Sequence, residues 1–169
     1  FVSAILSGNL LAFGVFCSIR VGGYIENSDL GYRRLVSGLF KLPIGLLLII
    51  LCNTHLFIGN TAFYTIALYE KKIKLWRILP SMIIIYIGNL IGSILFAYAM
   101  YGAEILDYSS SIIILAESKI ETNWSVTLLK GILYNWFVCL ALWQAACCDS
   151  VTDKAVHLYF PIARFVALG

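Results

Sequence analysis

Apolar residues run through this chain in long blocks, and the few polar residues mark where each block stops. A helix that crosses a bilayer needs about 20 predominantly apolar residues. Residues 1–23 supply one such block, closing near Arg20, and residues 78–101 and 128–146 supply two more. Residues 156–169 begin another that is shorter than a full crossing. Residues 35–68 are too long for one crossing and carry an interruption of their own, the stretch "CNTHLFIGNT" at residues 52–61.

That interruption places Asn53, Thr54, His55, Gly59, Asn60 and Thr61 between two greasy segments. The pattern predicts a break over residues 55–60. A short separate helix is expected from about Asn60, with Asn60 or Thr61 as its N-cap. Backbone at membrane depth is left non-helical only inside protein or along a wet cavity, so the break is expected to line a pathway. A helix end opened there also presents N–H groups and a positive dipole end, which attract anions. Paired broken helices are a recurring transporter device.

Composition agrees with the blocks. The chain has 169 residues, 61% hydrophobic and 12% charged, with a mean hydropathy of +0.90. A soluble domain carries about 25% charged residues. These side chains cannot cover a water-facing surface, so the chain is expected to be an all-α, multi-pass integral membrane protein. A net charge of +3 leaves no footprint for nucleic acid.

Charge placement sets an expected orientation. Lys71, Lys72, Lys74 and Arg77 crowd the connection between the second and third blocks, and short basic loops stay cytoplasmic. The loops at residues 24–34 and 102–127 then face out, and the N-terminus lies in the cytoplasm. The second outer loop carries Glu104, Asp107, Glu117 and Glu121 against Lys119. The chain starts and stops inside apolar runs, as a piece of a longer protein would.

The third block holds Gly88 and Gly92 around Asn89, a spacing that lets two helices approach closely in lipid. Asn89 needs a polar partner there, which argues for a packed face. The fourth block has Gly131 and Asn135 one turn apart. The five cysteines show neither zinc-site nor disulfide spacing. His55 and His157 lack a patterned acid or nucleophile, so the chain is not expected to be an enzyme or to need a cofactor or metal.

Several of these stretches resemble the formate/nitrite transporter family, in order and over nearly the whole chain. "HLFIGNT" is similar to that family's "DLFTGNT", and "SMIIIYIGNLIGSILF" resembles its third helix. "ESKIETNWSVTLLKGILYNWFVCLALW" resembles its following loop and fourth helix, including the loop lysine at Lys119 and the helix asparagine at Asn135. "FPIARFVALG" resembles the first half of its fifth helix. "GNTAFYTIALYEKKIKL" is similar to the apicomplexan members, which export lactate with a proton.

The resemblance implies an aquaporin-like bundle of two inverted three-helix repeats, with the second and fifth helices broken and five protomers in a homopentamer. Residues 1–101 would form the first repeat and residues 128–169 part of the second, within a single transmembrane domain. It also implies a pathway for small monocarboxylate anions and protons across a plasma membrane. On matching positions the constrictions would be built from Leu46, Leu56, Phe57, Val138 and Phe165. Lys119 would attract the anion and favour its protonation, and Asn135 would help hold the solute.

Two pathway positions depart from the family pattern. His55 stands where the family has an acid, and Ile58 where it has a threonine. Lys41 and Arg164 add charges inside apolar blocks. These departures suit a second reading, a non-conducting or degenerate homologue or partner subunit. A water or polyol pore is disfavoured, because no Asn-Pro-Ala motif is present.

Overall fold

The computed structural model describes residues 1–23, 42–105, 113, 117, 120 and 123–167. Among the described residues six long helices follow one another: α1 (Val2–Gly23), α2 (Leu42–Leu51), α3 (Phe57–Tyr69), α4 (Leu75–Gly102), α5 (Trp124–Ala146) and α6 (Val151–Ala167). No strand occurs among the described residues. Among the described residues three stretches, Val2–Val21, Leu75–Gly102 and Trp124–Ala146, are long and apolar enough to cross a membrane. At about 1.5 Å per residue, even the 20-residue stretch matches the roughly 30 Å of a hydrocarbon core. Ile83, Leu95, Leu129, Ile132 and Trp136 stand exposed on the outside of the bundle, an arrangement that lipid tolerates and water does not.

The interrupted block folds as two helices, α2 and α3, with residues 52–56 between them. This corrects the expected position: the helix resumes at Phe57, so Ile58, Gly59 and Asn60 belong to its first turn. The helix stop before the break is a Schellman motif. Asn53 takes a left-handed conformation (φ 50°). Its N–H donates to the Ile50 carbonyl (3.1 Å), and the Thr54 N–H donates to the Ile49 carbonyl (3.0 Å). The Thr54 hydroxyl donates to the same Ile49 oxygen at 3.2 Å. The Ile49 and Ile50 carbonyls near the end of α2 are thus satisfied within the turn. Asparagine tolerates this backbone better than branched residues do. Asn53→Val is therefore expected to lower the unfolding temperature, at a cost of about 1–2 kcal/mol, while Asn53→Gly leaves it nearly unchanged.

The two halves of the broken segment keep different company. α2 packs on α1 and α6, whereas α3 packs on α4 and α5. The break is the point at which the chain crosses from one set of neighbours to the other. Around it lies one buried cluster: Leu46 and Ile49 from α2, Leu56 from the break, Ala141 and Ala145 from α5, and Leu158 and Ile162 from α6. Leu56 thus anchors the break in protein, while Cys52, Asn53 and His55 stay exposed.

α1 and α4 pack closest of all, and glycine makes that possible. A Cβ on Gly8 would overlap the Asn89 carbonyl oxygen, and one on Gly92 would overlap the Ile5 carbonyl oxygen. The two backbones touch where any other residue would hold them apart. Phe96 fills the space further along, meeting Phe13 and Phe16 edge-on with centroids 6.1 Å away in each pair.

Candidate substrate pathway at the broken helix

α3 begins without a cap of its own. Its N-cap residue is Leu56, in extended conformation, and no side chain of the segment caps it. This corrects the expectation that Asn60 or Thr61 caps the helix. The Thr61 hydroxyl donates instead to the Ile58 carbonyl (2.5 Å). The Asn60 amide nitrogen lies 3.5 Å from His55 Nδ1, and the Asn60 N–H already donates to the Leu56 carbonyl at 2.8 Å.

The cap comes from another helix. Asn89 Oδ1, on α4, accepts the Phe57 N–H at 2.9 Å. Asn89 Nδ2 donates to the His55 carbonyl at 3.0 Å and to the Ala4 carbonyl of α1 at 2.8 Å. The His55 N–H reaches Ser3 Oγ at 3.2 Å. One turn along α4, Ser93 Oγ lies within donating distance of both the Gly8 carbonyl (3.1 Å) and the Asn89 carbonyl (2.9 Å), which share its single proton. The N–H groups of Ile58 and Gly59 have no partner among the described residues. They are the open donors at the positive end of α3.

The expected constriction residues divide between two surroundings. Leu46 (3% exposed) and Leu56 (5% exposed) are buried in the central cluster, and Val138 packs against it from α5. Phe57 points to the other side and meets Tyr86 edge-on, with centroids 5.5 Å apart. Gly59 turns toward α5, where a Cβ would meet Leu142 Cδ1 at 3.5 Å. The backbone of the first α3 turn thus comes close to α5.

His55 is exposed within the break, and Ile58 is exposed about one turn later. Asn135 lies on an exposed part of α5 and meets no partner among the described residues. It precedes Val138 and Leu142 on the same helical face. Open space surrounds Gly131, four residues earlier. Lys119 and Lys41 lie outside the described residues, as do the side chains of Arg164 and Phe165 in α6.

The helix order, the break and its neighbours agree with what the chain matches. A family model described as formate/nitrite transporter covers residues 1–169, the whole chain. The chain belongs to the formate/nitrite transporter family.

Its relatives carry consistent names. A formate-nitrite transporter of Entamoeba histolytica is 34% identical over 172 residues, covering 99% of this chain and 48% of that protein. A formate channel of Bacillus thuringiensis is 32% identical, covering 97% and 64%. A nitrite transporter of Salmonella typhimurium is 32% identical, covering 99% and 62%. The chain thus spans about half to two thirds of the length of these relatives. Among solved structures, an ion channel of the formate/nitrite transporter family superposes with a TM-score of 0.86 at 32% identity, over 99% of this chain and 67% of its own. A pentameric formate channel with formate bound superposes with a TM-score of 0.87 at 23% identity, over 100% and 68%. The all-helical, aquaporin-like membrane fold expected from the sequence is therefore the fold of this formate/nitrite transporter family member.

The sequence placed Asn89 on a packed face that had to satisfy its amide, and the structure supplies the partners. Its role as the cap of α3 had no local signal. Asn89 lies 32 residues from the N–H that it accepts, and nothing near residue 57 points to it.

Proposed function

We propose that this chain forms the first repeat, residues 1–101, and part of the second, residues 128–169, of a channel or transporter. Its solutes would be small monocarboxylate-type anions of the formate, nitrite and lactate class, moved together with a proton. Carrying the reading is the break at residues 52–56, which interrupts an apolar membrane segment beside the buried Leu56 and leaves the Ile58 and Gly59 N–H groups without a partner among the described residues, at a positive helix end. An anion cannot cheaply enter the apolar surroundings of Leu46, Leu56 and Val138, since burying an unpaired charge is strongly unfavourable. A neutral acid crosses such a slit more easily. Protonation near the mouth, followed by passage of the acid, reconciles the polar break with its greasy walls. Phe57 and Phe165 would complete the constrictions, with Asn135, His55 and Ile58 along the solute path.

The relatives named for formate and nitrite support the solute class, and the pentameric neighbour supports a homopentamer. The basic turn after α3 supports a cytoplasmic face there, and so a cytoplasmic N-terminus; the plasma membrane is part of the proposal. Within that turn the Glu70 carboxylate lies 2.5 Å from Lys72 Nζ. Their hydrogen bond holds the lysine's pKa above its ordinary value. The exposed, apolar Ile58 in the first turn of α3 favours the second reading, a non-conducting homologue or partner subunit.

Proteoliposomes carrying the native protein decide between them. Saturable uptake of formate, nitrite or lactate, with glycerol excluded and uptake abolished by collapsing the proton gradient, is the expected result. Equal rates in empty and loaded vesicles would rule out the conducting reading.

Lys119 gives a sharper test of the anion path. A cation near a pore mouth raises the local anion concentration and is screened by salt. Lys119→Met is expected to lower transport about tenfold and to flatten its salt dependence. Lys119→Arg keeps the charge and should retain part of the rate. Lys130, exposed in α5, is the control, and Lys130→Met should change both quantities little.

A further inference from the structure

The helix pair α1–α4 does more than pack. Its glycine contacts bring the α1 backbone against α4, close enough for Asn89 Nδ2 to reach the Ala4 carbonyl at 2.8 Å. The same amide nitrogen holds the His55 carbonyl, and its oxygen holds the Phe57 N–H. One side chain therefore ties three separate pieces of backbone: the first turn of α1, the last residues of the break and the first residue of α3. Leu56 sits between the two tied residues, and its side chain enters the central cluster. Phe57 carries the tied N–H, and its ring leans on Tyr86 of α4.

We infer that Asn89 is a positioning residue for the permeation path. It fixes the backbone on both sides of Leu56, and so fixes how far Leu56 and Phe57 stand into the slit. The choice of side chain follows from the bonding. The site needs one acceptor for an N–H and a donor group that serves two carbonyls, and a carboxamide offers both within one planar group. A leucine has the volume and none of the bonds. An aspartate keeps the acceptor and loses the amide donors, and its ionised form sets negative charge against the Ala4 and His55 oxygens. Once protonated, it can donate to one of the two.

The inference rests on the reading of this chain as a pore, and the test keeps the two apart. Hydrogen exchange is followed by mass spectrometry in the native protein, beside Asn89→Leu and Asn89→Asp, at several pH values. In Asn89→Leu, amides of residues 54–60 are expected to exchange about tenfold faster or more relative to the wild type. Those in the middle of α5 should be unchanged. In Asn89→Asp the same amides are expected to stay near wild-type protection at low pH and to lose it, relative to wild type at the same pH, as the carboxyl ionises. The pH signature shows that the amide's hydrogen bonds hold the break, and the transport readout separates a positioning role from a merely structural one. In parallel, the rate ratio of formate to a bulkier monocarboxylate is measured in proteoliposomes. It is expected to fall in both variants, following the loss of protection.

Wild-type protection at residues 54–60 in both variants would overturn the inference. So would a loosened break with an unchanged rate ratio. Absence of anion flux in the wild type would instead overturn the pore reading and the permeation role together, while the exchange pattern would still show whether Asn89 holds the break.

Discussion

Gly92→Ala is expected to prevent the native packing of α1 on α4. The added Cβ would overlap the Ile5 carbonyl oxygen and lie 2.9 Å from the Ile5 carbonyl carbon. Both are backbone atoms, so no side-chain rotation relieves the contact and the helices must move apart. Overpacking costs about 1–3 kcal/mol even where side chains can give, and here they cannot. Separation would also break the Asn89–Ala4 and Ser93–Gly8 hydrogen bonds, at 2.8 and 3.1 Å, which depend on that approach. Gly8→Ala should do the same from the facing helix, against the Asn89 backbone. The measurement is thermal unfolding of the purified protein in detergent, with yield of folded material as a second readout. Gly131→Ala serves as the comparison, because nothing lies within 4 Å of its Cβ direction. It is expected to stay within about 0.5 kcal/mol of wild type. If all three variants unfold alike, glycine at the α1–α4 contact is incidental.

Leu56→Ala is the second large effect, and Ile58→Ala is its control two residues away. Leu56 is 5% exposed within the central cluster, whereas Ile58 is 36% exposed. Removing a buried leucine costs about 2–5 kcal/mol through lost contacts and the cavity left behind. Truncating a half-exposed isoleucine should cost about 1 kcal/mol or less, because little of it is held by neighbours. The cavity would open beside Leu46, Ala141 and Ile162. If the slit runs there, Leu56→Ala should also speed the passage of solutes larger than formate. Unfolding curves decide the first expectation and proteoliposome flux the second. Equal stability losses for both variants would place Leu56 outside the packed core.

The positions of the helices were legible because the signal is local. Membrane helices are selected by the summed hydrophobicity of a segment, which a reader of the sequence can add up without knowing its neighbours. Residues 78–101 were expected as a span and lie within Leu75–Gly102; residues 128–146 lie within Trp124–Ala146. The interruption at residues 52–61 was legible for the same reason. The motifs that resemble the family pointed to the aquaporin-like fold, since they recur in order along the chain.

The fine position of the break was not legible. Polar side chains suggested a helix start at Asn60 or Thr61, because a helix usually finds its cap in the residue just before it. Here the cap arrives from Asn89, and that frees the helix to start at Phe57. The stop before the break was better marked, because a Schellman stop is made within one turn and Asn53 is among the residues that tolerate its left-handed backbone.

The sequence by itself determined that this is a membrane-embedded, all-helical chain, that its second apolar block is interrupted, and that Gly88, Asn89 and Gly92 lie on a packed face. Each of these follows from interactions within a segment, or from the cost of leaving polar groups in lipid. Only the tertiary structure decided which helix that face meets and which N–H the Asn89 amide caps. It also decided that Leu56 is buried while Ile58 stays exposed, and that Asn135 stands apart from the buried cluster. The physical reason is that these outcomes depend on the approach of two backbones. Whether Gly8 comes to lie against Asn89 is a property of α1 and α4 together, and neither segment carries it alone.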